Sequence, residues 1–258
     1  MNPILHELES KQWVWTAKST AQTQQASTGL NTGFDELDNA LSGGFPASGM
    51  VHISSQLGCG ELRLMLSVLK QQRDNNNRNK TREKSHADSK LWVFIAPPFM
   101  LNAEFFLSEN IDLSRLIVIN PETPEEALWS AEQCAKSGAC ASVFLWQQSL
   151  QHTQIRKLEL ASLHGQCQCF WFDNSQRALQ NLPLSLSLSL KREDEQLHIK
   201  INKQKIGWAK PAVKVKVPFK CRTRAHFKNP QKPFGKVVSI QSHSAIHSPV
   251  YSPKHPSS

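Results

Sequence analysis

Met50-Val-His-Ile-Ser-Ser-Gln-Leu-Gly-Cys-Gly-Glu-Leu62 is the stretch that decides the fold. A short apolar run, Met50 to Ile53, reads as a buried strand. Ser54 to Gly60 is a loop with two glycines. From Glu61 to about Lys70, Leu62, Met65, Leu66 and Leu69 recur at helical spacing. Strand, glycine loop and helix in that order form the unit from which parallel sheets are built.

The same alternation continues downstream. Leu91 to Ile95, Leu116 to Ile119, Cys140 to Trp146 and Cys169 to Phe172 are apolar runs of strand length. Helical segments are expected near Leu101 to Glu109, from Thr123 to Gly138 and from Thr153 to His164. In Thr123-Pro-Glu-Glu126 the threonine caps, proline fits the first helical position, and Glu126 is expected to reach back to the cap N–H. Upstream, Thr32 is expected to cap a helix running to Leu41 and stopping at Gly43-Gly44. Apolar strands alternating with helices predict a parallel sheet covered on both faces. Leu182, Leu184, Leu186, Leu188 and Leu190 then alternate with Pro or Ser, and Leu197-His-Ile-Lys-Ile201 alternates again. These predict a half-buried antiparallel hairpin at the sheet edge.

Three segments fall outside this pattern. Residues 1–26 read as a short helix and linker, with an apolar patch at Trp13-Val14-Trp15. Gln71 to Lys90, QQRDNNNRNKTREKSHADSK, offers little to bury and reads as a flexible insertion in a domain spanning 27–217. Residues 218–258 read as a basic disordered tail.

The net charge of +9 is unevenly spread. Residues 182–258 hold 15 Lys and Arg against 3 Asp and Glu, a charge of +12, whereas the first 181 residues hold 15 against 18, or −3. No acidic residue follows Glu195. Such an end attracts polyanions or acidic protein surfaces. Trp208, Lys210, Lys214, Lys216, Lys220, Arg222 and Arg224 are its candidate contact residues. No run approaches the roughly 20 apolar residues of a membrane span, and the N-terminus lacks a signal peptide's apolar centre, so a cytoplasmic protein is expected. The six cysteines, Cys59, Cys134, Cys140, Cys167, Cys169 and Cys221, lack paired ligand spacing, and no metal is expected. Trp92 and Trp171 read as core, Trp129 as packing on the sheet, His152 and His164 as surface. No Ser/His/Asp grouping is legible.

The glycine loop stands where a phosphate-binding loop belongs, with the pattern G-x-x-x-x-G-K-[ST]. The eight positions here are Ser55 to Leu62. Gly58 lies within the loop and Gly60 keeps the second glycine, but Glu61 replaces the lysine and Leu62 the magnesium-binding hydroxyl. Ser27-Thr-Gly-Leu-Asn-Thr-Gly-Phe-Asp-Glu-Leu-Asp38, followed by Leu41-Ser-Gly-Gly-Phe-Pro46 and Gly49, resembles the start of the RecA recombinase core. The resemblance covers roughly residues 27 to 150. It implies an acidic residue after Ile95 and an aspartate at the end of the strand that runs through Leu145. Ala96-Pro97-Pro98 and Trp146 stand there instead. The resemblance therefore implies a RecA-like α/β fold with a degenerate nucleotide site, no ATPase activity and no cofactor. Trp146 is expected to plug the vacated pocket or anchor a partner.

Gly58-x-Gly60-Glu-Leu-Arg-Leu64, Ile95-Ala-Pro-Pro98, Asp112-Leu-Ser-Arg-Leu116 and Glu126-Ala-Leu-Trp-Ser-Ala-Glu-Gln133 resemble the bacterial ImuA family. That likeness implies an accessory role in damage-induced, error-prone translesion synthesis. The implied partners are an ImuB-like polymerase-family protein and an error-prone polymerase; RecA is a further candidate, and DNA is one through the basic C-terminal segment. Residues 91 to 173 also resemble SulA, the SOS inhibitor of cell division that binds FtsZ. SulA proteins lack the Thr28 to Leu69 segment, which favours the ImuA likeness.

Overall fold

The computed structural model describes residues 29–79, 90–174, 182–194, 196–205 and 211–216. Trp208, Lys210, Lys220, Arg222 and Arg224, the N-terminal helix and the tail lie outside the described residues.

The described chain runs α1 (Asp35–Ala40), β1 (Gly49–Ser55), α2 (Glu61–Asn79), β2 (Leu91–Ile95), α3 (Ala103–Ser108), a 3-10 turn (Leu113–Arg115) and β3 (Leu116–Ile119). It continues through α4 (Pro124–Lys136), β4 (Cys140–Trp146), α5 (His152–His164), β5 (Gln168–Asp173), β6 (Leu186–Glu193), β7 (Gln196–Gln204) and β8 (Val213–Lys216). The eight strands form one sheet in the order β3-β2-β4-β5-β1-β6-β7-β8. The first six are mutually parallel, including β6 against β1, and β6–β7 and β7–β8 are antiparallel.

Side-chain alternation splits the core across the sheet. Val51, Ile53, Phe94, Phe144 and Phe170 face α1 and α2, with Leu37, Leu64, Met65 and Val68. Met50, Val93, Val143, Leu145, Cys169 and Trp171 face α4 and α5, with Ala127, Ala131, Ile155 and Leu158. Both faces of the central strands are covered, which is why they read as unbroken apolar runs.

Five sequence expectations need correction. Helix α2 does not stop near Lys70 but continues to Asn79, so the first part of the segment read as an insertion is helical. Its anchor is polar. Gln72 accepts a hydrogen bond from Trp92 Nε1 (2.8 Å) and donates to Ser142 Oγ (2.8 Å) and Gln168 Oε1 (2.9 Å). A polar side chain in a buried network escapes a reading based on apolar spacing. Thr32 is not the cap of α1, because Phe34 is the N-cap residue; Asp38 instead accepts the Thr32 N–H at 2.6 Å. Thr123 does cap α4, accepting the Glu126 N–H at 3.2 Å, but the Glu126 carboxylate reaches Glu122 N–H rather than the cap residue. Trp129 points to solvent, 62% exposed, because Ala127 and Ala131 take the sheet-facing positions. The hairpin is not the sheet edge: β6 lies between β1 and β7, β8 forms the edge, and Leu182 and Leu184 precede β6. Ser187 is as buried as its leucine neighbours, so the start of β6 is covered on both faces.

Candidate functional site

The parallel strands β1, β2 and β4 end together at Ser55, Ile95 and Trp146, and the segments that follow them frame a crevice. Such strand ends are where open α/β sheets carry ligands. The lining combines Glu61 and Leu62 from the start of α2, Pro97 to Asn102 after β2, Phe105 and Phe106 of α3, and Trp146. The enclosed volume is about 170 Å³, below the roughly 300–1,000 Å³ of small-molecule pockets.

Glu61 organises the loop. It is the first residue of α2 and is 5% exposed. Its Oε1 accepts the Gly58 N–H at 3.0 Å, and its Oε2 accepts the Gly60 N–H at 3.0 Å. Gly58 and Gly60 have φ of 79° and 118°, in the left-handed region that glycine tolerates without a Cβ penalty. That backbone turns both N–H groups onto one carboxylate. Loop amides at a helix N-terminus form an anion site, and here the anion is supplied by the chain itself. The same charge acts on the neighbouring thiol: burial and then the Glu61 carboxylate push Cys59 up to about 11. Leu62 packs against the core and offers no oxygen.

Trp146 closes the floor. It is 8% exposed and stacks on Phe172 (centroids 4.6 Å apart, planes 13° apart) and on Phe94 (6.0 Å, 17°). Phe144 stacks on Phe94 at 4.6 Å and on Phe170 at 5.2 Å, so an aromatic row crosses β2, β4 and β5 beneath the crevice. Ala96 follows β2 with φ of 51° and donates its N–H to Ile119 O, turning the chain into Pro97-Pro98. On the rim, Phe99 is 58% and Met100 98% exposed. The sequence reading placed Gly58, Gly60, Glu61, Leu62 and Trp146 at one locus. All belong to the loop or line the crevice, with Ser55 ending β1 beneath them; the Phe99–Met100 rim had no sequence signal.

The structure also assembles a grouping that sequence reasoning missed. His52 Nδ1 is 3.0 Å from Ser187 Oγ, and Nε2 is 3.0 Å from Asp173 Oδ1. All three residues are buried, and the imidazole lies against Trp171. A serine shielded from solvent cannot meet a substrate, so this grouping joins β1, β5 and β6 as a structural element. The only advance signal was a histidine inside an apolar strand. Among the described residues no group of three or more potential ligands is placed to hold a metal. Lys214 and Lys216 are exposed on β8, on the opposite side from buried Val215, matching their alternation in sequence. No described helix is long and apolar enough to cross a membrane.

No family model matches the chain, and no curated protein matches it. Among solved structures, it is similar to the crystal structure of SulA from Pseudomonas aeruginosa. The identity is 21%, over 47% of this chain and 95% of that one, with a TM-score of 0.36.

Proposed function

We propose that the chain is a RecA-like, non-catalytic accessory protein of the DNA-damage response, similar to ImuA, that serves error-prone translesion synthesis by holding partner proteins. The observation that carries the proposal is the Glu61 carboxylate seated on the Gly58 and Gly60 amides. A phosphate at those amides would have to displace a tethered anion and then lie against its charge. Leu62 and Trp146 stand where the RecA likeness calls for metal-side oxygens, and phosphoryl transfer depends on positioning and charge neutralisation. A site that has exchanged those groups for apolar ones is suited to protein contact. The exposed Phe99 and Met100 provide apolar anchors beside a rigid aromatic floor.

The proposed partners are an ImuB-like polymerase-family protein, an error-prone polymerase and RecA. The test is affinity capture from DNA-damaged cells, read by mass spectrometry, with the wild-type chain and with a Phe99→Ser, Met100→Ser variant. Polymerase-complex proteins and RecA captured by the wild type and lost by the variant are the expected result. Recovery of FtsZ in their place would move the protein to a SulA-like role in cell division. Equal capture of polymerase proteins by both chains would remove the crevice from the account.

A further inference from the structure

We propose that the open face of β6, β7 and β8 is a contact surface for the phosphate backbone of duplex nucleic acid. The proposal is separate from the crevice, which lies at the ends of β1, β2 and β4. The inner face of these strands is apolar, with Leu188, Leu190, Leu197, Ile199, Ile201 and Val215 in the core shared with α1. The outer face is the one that α5 covers over β1 and β5. Beyond Ser187 it opens to solvent. Strand register aligns Lys191 with His198 and His198 with Lys214, making one row across three strands. The flanking rows place Ser189 beside Lys200, and Gln196 beside Lys216. Lys191, Lys200, Lys214 and Lys216 are all exposed. The opposing charges nearby are Glu193, bonded to Lys191 at 2.9 Å and 3.3 Å from His198, and Asp194 in the turn. The face stays positive, and no acid follows Glu195 anywhere in the chain.

The chemistry of the face selects the class of partner. Among the described residues of β6, β7 and β8 it carries no exposed apolar or aromatic side chain. Protein interfaces draw their energy from a desolvated apolar core, and single-stranded nucleic acid from stacking on aromatic rings. This face offers neither. Phosphate neutralisation needs only cations on a firm support. Lys214 and Lys216, two residues apart on a strand, are separated by about 6.8 Å, the axial length of roughly two phosphates on one strand of a duplex. Contacts to phosphate carry no sequence information, so binding through these lysines is expected to be sequence-neutral.

The test is fluorescence anisotropy of a labelled random-sequence DNA duplex with the full chain. A Lys191→Gln, Lys200→Gln, Lys214→Gln, Lys216→Gln variant is compared with wild type. All four side chains are exposed, so the variant is expected to melt within a few degrees of wild type. Wild-type affinity is expected to fall steeply between about 50 and 200 mM salt, and four lost phosphate contacts should lower the logarithmic slope by roughly 3–4. The low-salt affinity of the variant should drop at least tenfold. A parallel Phe99→Ser, Met100→Ser variant should bind DNA as wild type does, which separates this surface from the crevice. Wild-type affinity and slope in the four-lysine variant would overturn the proposal. So would loss of binding confined to a Lys220→Gln, Arg222→Gln, Arg224→Gln variant, or binding to phosphatidylserine vesicles or polyglutamate without binding to DNA.

Discussion

Replacing Glu61 with alanine should destabilise the protein without creating a nucleotide site. Two charge-assisted hydrogen bonds of 3.0 Å disappear. Bonds to charged groups contribute about 1.5–3 kcal/mol each when buried. Gly58 is exposed and Gly60 half-buried, so water can reach the freed N–H groups, and the lower end of that range applies. The lost carboxylate also removes about 0.3–1 kcal/mol of favourable interaction with the start of α2. The sum is about 3–4 kcal/mol, which for a domain of this size lowers the melting temperature by roughly 6–15 °C. Glu61→Gln keeps an oxygen acceptor in the same place and should lose about half as much. Calorimetric melting of the three chains at one pH and salt concentration checks the series. A Glu61→Ala melting temperature within about a degree of wild type would refute the claim that the carboxylate holds the loop. Parallel titration with Mg-ATP should give no heat, because Leu62 and Trp146 remain.

Trp146→Ala opens a void in the aromatic row between Phe94 and Phe172 and should cost about 3–5 kcal/mol in urea unfolding; Trp146→Phe should cost clearly less. Gln72→Ala leaves Trp92 Nε1 without its partner and should cost about 1–3 kcal/mol, a loss that a solvent-facing segment would not show. Buried thiols give the alkaline limit. Burial pushes Cys59 up to about 11 and Cys169 up to about 12, so above pH 9 the unfolded chain loses these protons first. Each thiol's contribution is intact below pH 9 and is lost as pH rises through its folded value, at up to about 1.4 kcal/mol per pH unit. Urea midpoints at pH 8 and pH 10 should therefore differ, with the pH 10 value lower, and Cys59→Ala with Cys169→Ala should shrink the difference.

The parallel sheet was legible because each of its central strands is apolar on both faces and is followed by a helix or a turn. Cys140–Trp146 and Leu116–Ile119 have the ends read from sequence. The candidate loop was legible because glycines between a buried strand and a helix leave few alternatives, and Glu61 at a helix start has a definite electrostatic preference. What escaped was polar and long-range. Gln72 reaches Ser142 and Gln168, 70 and 96 residues away. His52 reaches Asp173 and Ser187, 121 and 135 residues away. Nothing local marks such partners. The interior position of β6 was hidden for a related reason. Serine alternating with leucine looks half-exposed, yet Ser187 is buried because its hydroxyl meets His52.

Titration of the wild-type chain with Mg-ATP in an isothermal calorimeter is the most direct test of the central claim, that Glu61 fills the anion position of its own loop. The wild type is expected to give no saturable heat. Binding should appear only when the anion is removed and the apolar groups are replaced together, as in Glu61→Lys with Leu62→Thr and Trp146→Asp. Magnesium-dependent binding of ATP by the wild-type chain at micromolar affinity would contradict it, since a phosphate could reach those amides only by expelling the Glu61 carboxylate.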